Sequence, residues 1–388
     1  MRGPFFYGWF VVGAVSVMAF LSFGLGFYGI SVYVAALQRL HGWSASALSA
    51  PVTVYYVGGA LLTASMANLY ERFGPRAVVL TGAAALAAGL AALGVVTRPW
   101  QLYPAFLVMS VGWGAMSGAA INIILAPWWE RRRGFAVSIG FTGATLGGVV
   151  VAPLLLPLVD AFGFRTALAM AALVSLAVLI VVAGVLRRGP QERGLERRGR
   201  GEALRRWRFW SVSIPFALGL TAQVGVLTHL VVLVTPALGT GGAGRAVSAT
   251  TAAALIGRLA TGVVVDRLSR RRVASATLVV QMIGLALLAG PPSSARVYAG
   301  CVLFGLGVGN LTTLPGLILA VEWPRERFSA LVGLVVGINQ FTFAFGPSLV
   351  GVLRDVAGTY SLALGACATL QGIAALIVLA RDAPLRAT

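Results

Sequence analysis

The sequence predicts an all-α membrane protein, with twelve transmembrane helices arranged as two pseudo-symmetric six-helix bundles. Three observations carry that expectation. Hydrophobic residues fill 58% of the 388 positions and charged ones only 11%, giving a mean hydropathy of +0.89. Apolar runs of about 20 residues, enough to cross the hydrocarbon core as a helix, recur from one end to the other. One long polar stretch, 187–208, lies near the midpoint and divides these runs into two sets of six. A transmembrane barrel is excluded, because its strands alternate apolar and polar residues over about ten positions and these runs do not.

Breaks at charged and turn-forming residues set each helix in turn. Helix 1 (8–37) is far longer than the apolar core of a signal peptide, and no small-residue cleavage site leading into a soluble domain follows it, so it is expected to stay in the membrane. Helix 2 (45–69) follows Gly42-Trp43-Ser44 and stops at the charged Glu71–Arg76 break. Helix 3 (76–97) ends at Arg98, and helix 4 (101–126) ends before Trp128-Trp129-Glu130. Helix 5 (134–158) carries Gly143-Ala144-Thr145-Leu146-Gly147-Gly148, ending at Pro153; these glycines suit close helix approach, not phosphate binding, which needs a preceding strand. Helix 6 (164–186) begins past Gly163 and runs to Arg187. After the polar stretch come helix 7 (209–237), helix 8 (247–265), helix 9 (273–291), helix 10 (297–321), helix 11 (328–353) and helix 12 (359–380), each bounded by arginine, proline or glycine. The domains are therefore 1–186, a cytoplasmic linker at 187–208 and 209–388, the linker being too polar to bury much surface.

All 30 positive side chains are arginine. With the N-terminus inside, inner loops and tails hold 23 of them and outer loops 6, which orients the chain with both termini cytoplasmic. The net charge of +19 is then a solvated basic membrane face, and no nucleic-acid partner is expected. Cys301 and Cys367 both fall in apolar helices, so neither a disulfide framework nor a metal site is expected, and no cofactor is implied.

The two halves repeat one pattern. Ala67-Asn68-Leu69-Tyr70-Glu71-Arg72-Phe73-Gly74-Pro75-Arg76 recurs 195 residues later as Gly262-Val263-Val264-Val265-Asp266-Arg267-Leu268-Ser269-Arg270-Arg271. Such duplication is how many transporters build two bundles around a central site. These residues resemble the loop between helices 2 and 3 of the major facilitator superfamily. The first copy departs with Ala67 and Glu71 where the family has glycine and aspartate; the second keeps Gly262 and Asp266 but has Ser269 at the turn glycine. An acid at a helix end among arginines suits a latch that holds one conformation, here Glu71, Arg72 and Arg76 in one half and Asp266, Arg267 and Arg271 in the other.

Further motifs sharpen the resemblance. Phe6-Tyr7-Gly8-Trp9, Gly42-Trp43-Ser44, Trp128-Trp129-Glu130-Arg131-Arg132-Arg133-Gly134, Gly163-Phe164-Arg165, and His229 with Pro236 and Gly239 before Arg258 are similar to the bacterial monocarboxylate and oxalate/formate porter branch. That resemblance implies a helix 8 arginine binding the substrate carboxylate. It also implies a cavity lined by helices 1, 4, 7 and 10, to which Tyr28, Asn122, Gln223 and Asn310 would contribute.

Arg258 also stands out without the resemblance, as the one charge inside AVSATTAAALIGRLATGVVV. A guanidinium in hydrocarbon is costly and usually faces a watery cavity or bundle interior. The alternative is snorkelling, but Arg258 is eight residues before Asp266, about 12 Å along a helix. All eleven acids map to loops or helix ends, which argues against a cation exporter and against a carboxylate proton relay. His229 is the candidate for proton coupling, with a structural hydrogen bond or a cap before Pro236 as the alternative and the neutral acid as the other proton carrier. Asn339 and Phe341 in helix 11 complete the candidate substrate-binding set, while Gln281 reads as a helix-to-helix bond and most aromatics as packing.

The expectation is thus a secondary transporter of small organic anions working by alternating access. Relatives with dianion substrates carry a second charge in helix 11, whereas GLVVGINQFTFAFGPSL has none, so one arginine points to a monocarboxylate. The alternative is export of an apolar or weakly acidic compound with Arg258 structural. A membrane enzyme is not expected, since no HExxH, nucleophile elbow or nucleotide loop is present. The expected setting is a bacterial inner membrane, with lipid, the small anion and protons as partners and the protein as a monomer.

Overall fold

A computed structural model describes residues 6–129, 133–190, 204–265, 267–291 and 293–380, with the side chains of 133 and 325–330 outside the description. The described residues form helices and turns without a strand. In order these are α1 (Gly8–Phe23), α2 (Gly29–His41), α3 (Ala45–Leu93), α4 (Leu102–Met116), α5 (Gly118–Leu125), α6 (Arg133–Phe162) and α7 (Phe164–Val185). Then come α8 (Trp207–Val264), α9 (Arg270–Ala289), α10 (Ser294–Val308), α11 (Leu314–Glu322), α12 (Arg325–Phe343), α13 (Gly346–Ala357) and α14 (Ser361–Ile377). Helix is what an apolar environment demands, because every backbone donor and acceptor finds its partner within the segment. Eight of the described helical runs are long and apolar enough to cross a membrane, and Ser294–Val308 and Ser361–Ile377 are shorter apolar helices.

Two runs are too long to be single spans. The 49-residue α3 is broken at Gly74 (φ 80°, ψ 163°) and the 58-residue α8 at Gly239 (φ 68°, ψ 176°). A side chain is strained at such a positive φ, so glycine sits where the helix must stop and restart. These breaks match the junctions expected between helices 2 and 3 and between helices 7 and 8.

Three expected spans are interrupted instead of continuous, the one at 328–353 only by the turn Ala344-Phe345 between α12 and α13. Ser117 (φ −77°, ψ −171°) separates α4 from α5, and Gly309–Thr313 separate α10 from α11. The local sequences explain this: GWGAMSG and GLGVGNLTTLPG combine glycine, a hydroxyl residue or a proline, all poor at sustaining a helix interior. Helix 1 has a milder irregularity, a π-helical turn at Gly24–Tyr28. Tyr55 Oη donates to Gly26 O at 2.7 Å and Tyr33 Oη to Leu25 O at 2.9 Å. These hydroxyls satisfy carbonyls that the wider turn shifts out of the regular ladder.

The chain divides into two compact units. Unit 1 is Met1–Arg193 with Thr228–Ser248, and unit 2 is Gly194–Leu227 with Ala249–Thr388, so α8 contributes to both. Most of the expected linker, residues 191–203, lies outside the described residues. In unit 1, α3 packs on α4 and α7, and α1 packs on α6, where Gly143 lies so close to Ser16 O that a Cβ has no room. In unit 2, α9 packs on α10 and α14. Phe209, Phe216, Leu278, Leu311, Leu319 and Leu331 are at the centre of its buried cluster. Lipid is as apolar as these side chains, so close packing and interhelical hydrogen bonds, not water exclusion, hold such helices together.

Candidate functional site

The part of α8 after Gly239 carries Arg258 against α10 in unit 2. Gly257 lies on the Leu306 carbonyl, where a Cβ would overlap it, and Gly305 lies nearly as close to Thr250 O. This close approach puts the half-buried Arg258 side chain beside the break after α10. Its Nη2 donates to Gly309 O at 3.3 Å, a carbonyl that also accepts from Thr312 Oγ1 at 3.1 Å. A guanidinium at a helix C-terminus is favoured by the exposed carbonyls there. Gly309 makes the room: a Cβ on it would lie 2.9 Å from Arg258 Nε and 3.2 Å from Nη2.

Asn310 shares this corner. Its Nδ2 donates to Leu306 O at 3.2 Å and, at 3.4 Å, to the carbonyl of Gly257, the residue before Arg258. Its Oδ1 is buried without a hydrogen-bond partner among the described residues. The structure thus brings together two of the expected site residues, Arg258 and Asn310, at a glycine-made gap in a broken helix. Thr250 and Thr251 are buried on the same stretch of α8.

The remaining candidates are spread more widely. Gln223 accepts at Oε1 from Gln281 Nε2 at 3.0 Å, and Gln281 Oε1 accepts from Gln371 Nε2 at 2.9 Å, so the amide expected to bond between helices is tied to the one expected at the pocket. Asn339 is buried in α12, with Oδ1 unpartnered among the described residues, while Phe341 is half exposed and edge-on to Phe345 at 5.6 Å. In unit 1, Asn122 Nδ2 turns back onto Gly118 O at 3.0 Å, and Tyr28 is buried at the end of the π-helical turn, edge-on to Phe27 at 5.1 Å.

His229 is in the part of α8 that belongs to unit 1 and is almost fully buried. Its Nε2 lies 2.9 Å from Ser49 Oγ, and Ser49 Oγ donates its only hydrogen to Ala45 O at 2.6 Å. The serine oxygen must therefore accept, which makes Nε2–H the donor and assigns the imidazole tautomer.

At the repeated loops, Glu71, Arg72 and Arg76 are exposed, and Arg188 Nη2 donates to Arg72 O at 3.0 Å beside Gly74. Asp266 lies outside the described residues and Arg267 is exposed. Arg271 is 3% exposed and pairs with Glu322. Ser49, Arg188, Glu322 and Gln371 escaped the sequence reading. Gln371 alone carried a signal, as the one amide in the apolar run of helix 12.

The chain as a whole has known relatives. A family model described as Major Facilitator Superfamily matches residues 16–244 and 234–388. The sequence is 29% identical over 410 residues to monocarboxylate transporter 11 of Mus musculus, covering 94% of this chain and 85% of that one. It is 26% identical over 399 residues to MFS-type transporter 1 of Ophiocordyceps sp. (strain BCC 1869), covering 97% and 85%. The crystal structure of nucleoside transporter NupG superposes with a TM-score of 0.73 at 13% identity, covering 95% of this chain and 98% of that one. A bacterial homologue of the human lysosomal transporter Spinster, inward-facing and occupied, also gives 0.73, at 15% identity with 97% of each chain covered. These two likenesses show the fold.

Proposed function

The chain belongs to the Major Facilitator Superfamily, and on that premise we propose that it carries small organic anions, monocarboxylates foremost, by alternating access. It is a multi-pass membrane transporter and not an enzyme. The observation that carries the substrate reading is Arg258, held by Gly309 and flanked by Asn310 inside an apolar helix. A planar guanidinium matches a carboxylate with two parallel donors, and in a low-dielectric setting such a charge-assisted pair contributes more than it does in water. The absence of a second cation along 333–349 favours one carboxylate over two. Relatives named as monocarboxylate transporters support the same substrate class.

Within unit 2, Asn310, Gln223, Asn339 and Phe341 are the proposed substrate-binding residues beside Arg258; within unit 1, Asn122 and Tyr28 are proposed to bind substrate on the strength of the resemblance. His229 is the proposed proton carrier. The repeated loops with Glu71, Arg72, Arg76, Asp266, Arg267 and Arg271 are the proposed latches. We propose a monomer in a bacterial inner membrane on the strength of the resemblance, and cytoplasmic termini on the arginine asymmetry. Labelling Ser44→Cys and Ser269→Cys with an impermeant maleimide tests that orientation: only the first should react in intact cells.

The test of the substrate reading is uptake of radiolabelled lactate into proteoliposomes, with a panel of small acids as competitors. Arg258→Ala should cut kcat/KM by about 10- to 100-fold, the worth of one hydrogen bond to a charged group. Equal saturable uptake by both proteins, or none by either, sinks the reading. The second reading, export of an apolar or weakly acidic compound, draws on the Nη2 bond to Gly309, which gives Arg258 a structural task without a substrate. Efflux of such a compound that is unchanged in Arg258→Ala would favour it.

A further inference from the structure

We propose that Gln281 and Gln371 are positioning residues that make Gln223 a dedicated hydrogen-bond donor to the transported anion; this rests on the organic-anion reading above. The three amides form one directed chain inside unit 2. Gln371 Nε2 donates to Gly219 O at 3.1 Å and to Gln281 Oε1 at 2.9 Å. Gln281 Nε2 donates to Phe304 O at 3.2 Å and to Gln223 Oε1 at 3.0 Å. Gln281 and Gln371 are 0% exposed and Gln223 is 2% exposed.

Direction is the informative feature. An isolated glutamine can turn either its oxygen or its nitrogen toward a ligand. Here a backbone carbonyl holds the nitrogen of each supporting amide, because Gly219 O and Phe304 O can only accept. With its nitrogen held by Gly219, Gln371 gives its second hydrogen to Gln281 Oε1. With its nitrogen held by Phe304, Gln281 gives its second hydrogen to Gln223 Oε1. The acceptor end of Gln223 is thereby consumed within the chain, and its Nε2, with two hydrogens, is the terminal group. Aligned amides polarise one another, which strengthens the donor at the end. A carboxylate, which only accepts, is the partner that such an end recognises, and a donor-bearing cation is disfavoured.

Gln281 is also held mechanically. Its side chain fills the space over Gly307, where a Cβ would overlap it, two residues before the break that Arg258 grips at Gly309. A mere packing role for Gln281 would show as lost stability without a selective change in affinity, and this separates the two readings.

The experiment measures uptake of radiolabelled lactate by wild type, Gln223→Met, Gln281→Met and the double variant, with melting temperatures taken alongside. Gln223→Met should raise KM about 10-fold, the worth of one charge-assisted hydrogen bond. Gln281→Met should raise it by a similar factor with little change in kcat, and the double variant should be no worse than Gln223→Met, since Gln281 acts through Gln223. Gln371→Met, one link further away, should raise KM less and serves as the reporter if Gln281→Met does not assemble. An unchanged KM in Gln281→Met and Gln371→Met, or multiplied effects in the double variant, overturns the proposal while leaving the anion reading intact if Arg258→Ala still impairs uptake. Failure of wild type to carry any acid, or of Arg258→Ala to impair it, overturns the anion reading and this proposal with it.

Discussion

Arg271 and Glu322 are joined by two parallel bonds, Nε to Oε1 at 2.6 Å and Nη2 to Oε2 at 2.8 Å. The other three guanidinium hydrogens go to Ser211 Oγ at 3.0 Å, Val378 O at 2.9 Å and Ala380 O at 3.1 Å. All five donors of a nearly inaccessible arginine are thus spent inside unit 2, linking α8, α9, α11 and the end of α14. This exceeds what a loop latch requires: the residue is a structural joint of its own bundle, whatever part the loop plays in switching.

Removing one partner should therefore cost stability. Glu322→Ala leaves a buried cation without its acid, a loss of about 3–5 kcal/mol for a pair of this kind. A large fall in the melting temperature of detergent-solubilised protein is expected, with substantial recovery in the double variant Glu322→Ala/Arg271→Met. A single variant that melts with wild type would show that the pair contributes nothing.

Two glycines on the Arg258 corner should respond differently to alanine. At Gly257 the obstacle is the Leu306 carbonyl, part of the backbone, so the helices must separate and Gly257→Ala should yield little folded protein. At Gly309 the obstacle nearest to a Cβ is the Arg258 guanidinium at 2.9 Å, a flexible group, with Ala254 O at 3.1 Å behind it. Gly309→Ala should fold and display a raised KM for lactate, by about 10-fold if one hydrogen bond to a charged group is lost. Normal affinity in Gly309→Ala would separate Arg258 from the substrate.

Ser49 and His229 make a sharper test of proton coupling than His229 alone. If the imidazole carries the proton, His229→Gln should transport lactate in exchange mode but lose stimulation by an inward proton gradient. Ser49→Ala, which removes the acceptor for Nε2–H, should shift the pH dependence of uptake without abolishing it. Gradient-driven uptake that survives in His229→Gln would assign the proton to the substrate acid itself.

The sequence by itself determined the class of protein, the glycine breaks at the two junctions, and the duplication. These follow from local chemistry: a run of apolar residues must satisfy its own backbone, and glycine or charge must interrupt it. Gly74 and Gly239 fall where they were expected for that reason. It also singled out Arg258, because one charge in an apolar run is visible without any fold. Partners were a different matter. Ser49 and His229 are 180 positions apart, Arg271 and Glu322 are 51 apart, and Gln281 and Gln371 are 90 apart. Only packing decides which buried polar groups meet, since in a low-dielectric interior each must find a partner and any of several would satisfy it. The breaks at Ser117 and Gly309–Thr313 have local causes in their glycine, serine and proline residues, but a membrane helix keeps such an interruption only where other groups take up the released backbone, as Arg258 does for Gly309 from 51 positions away.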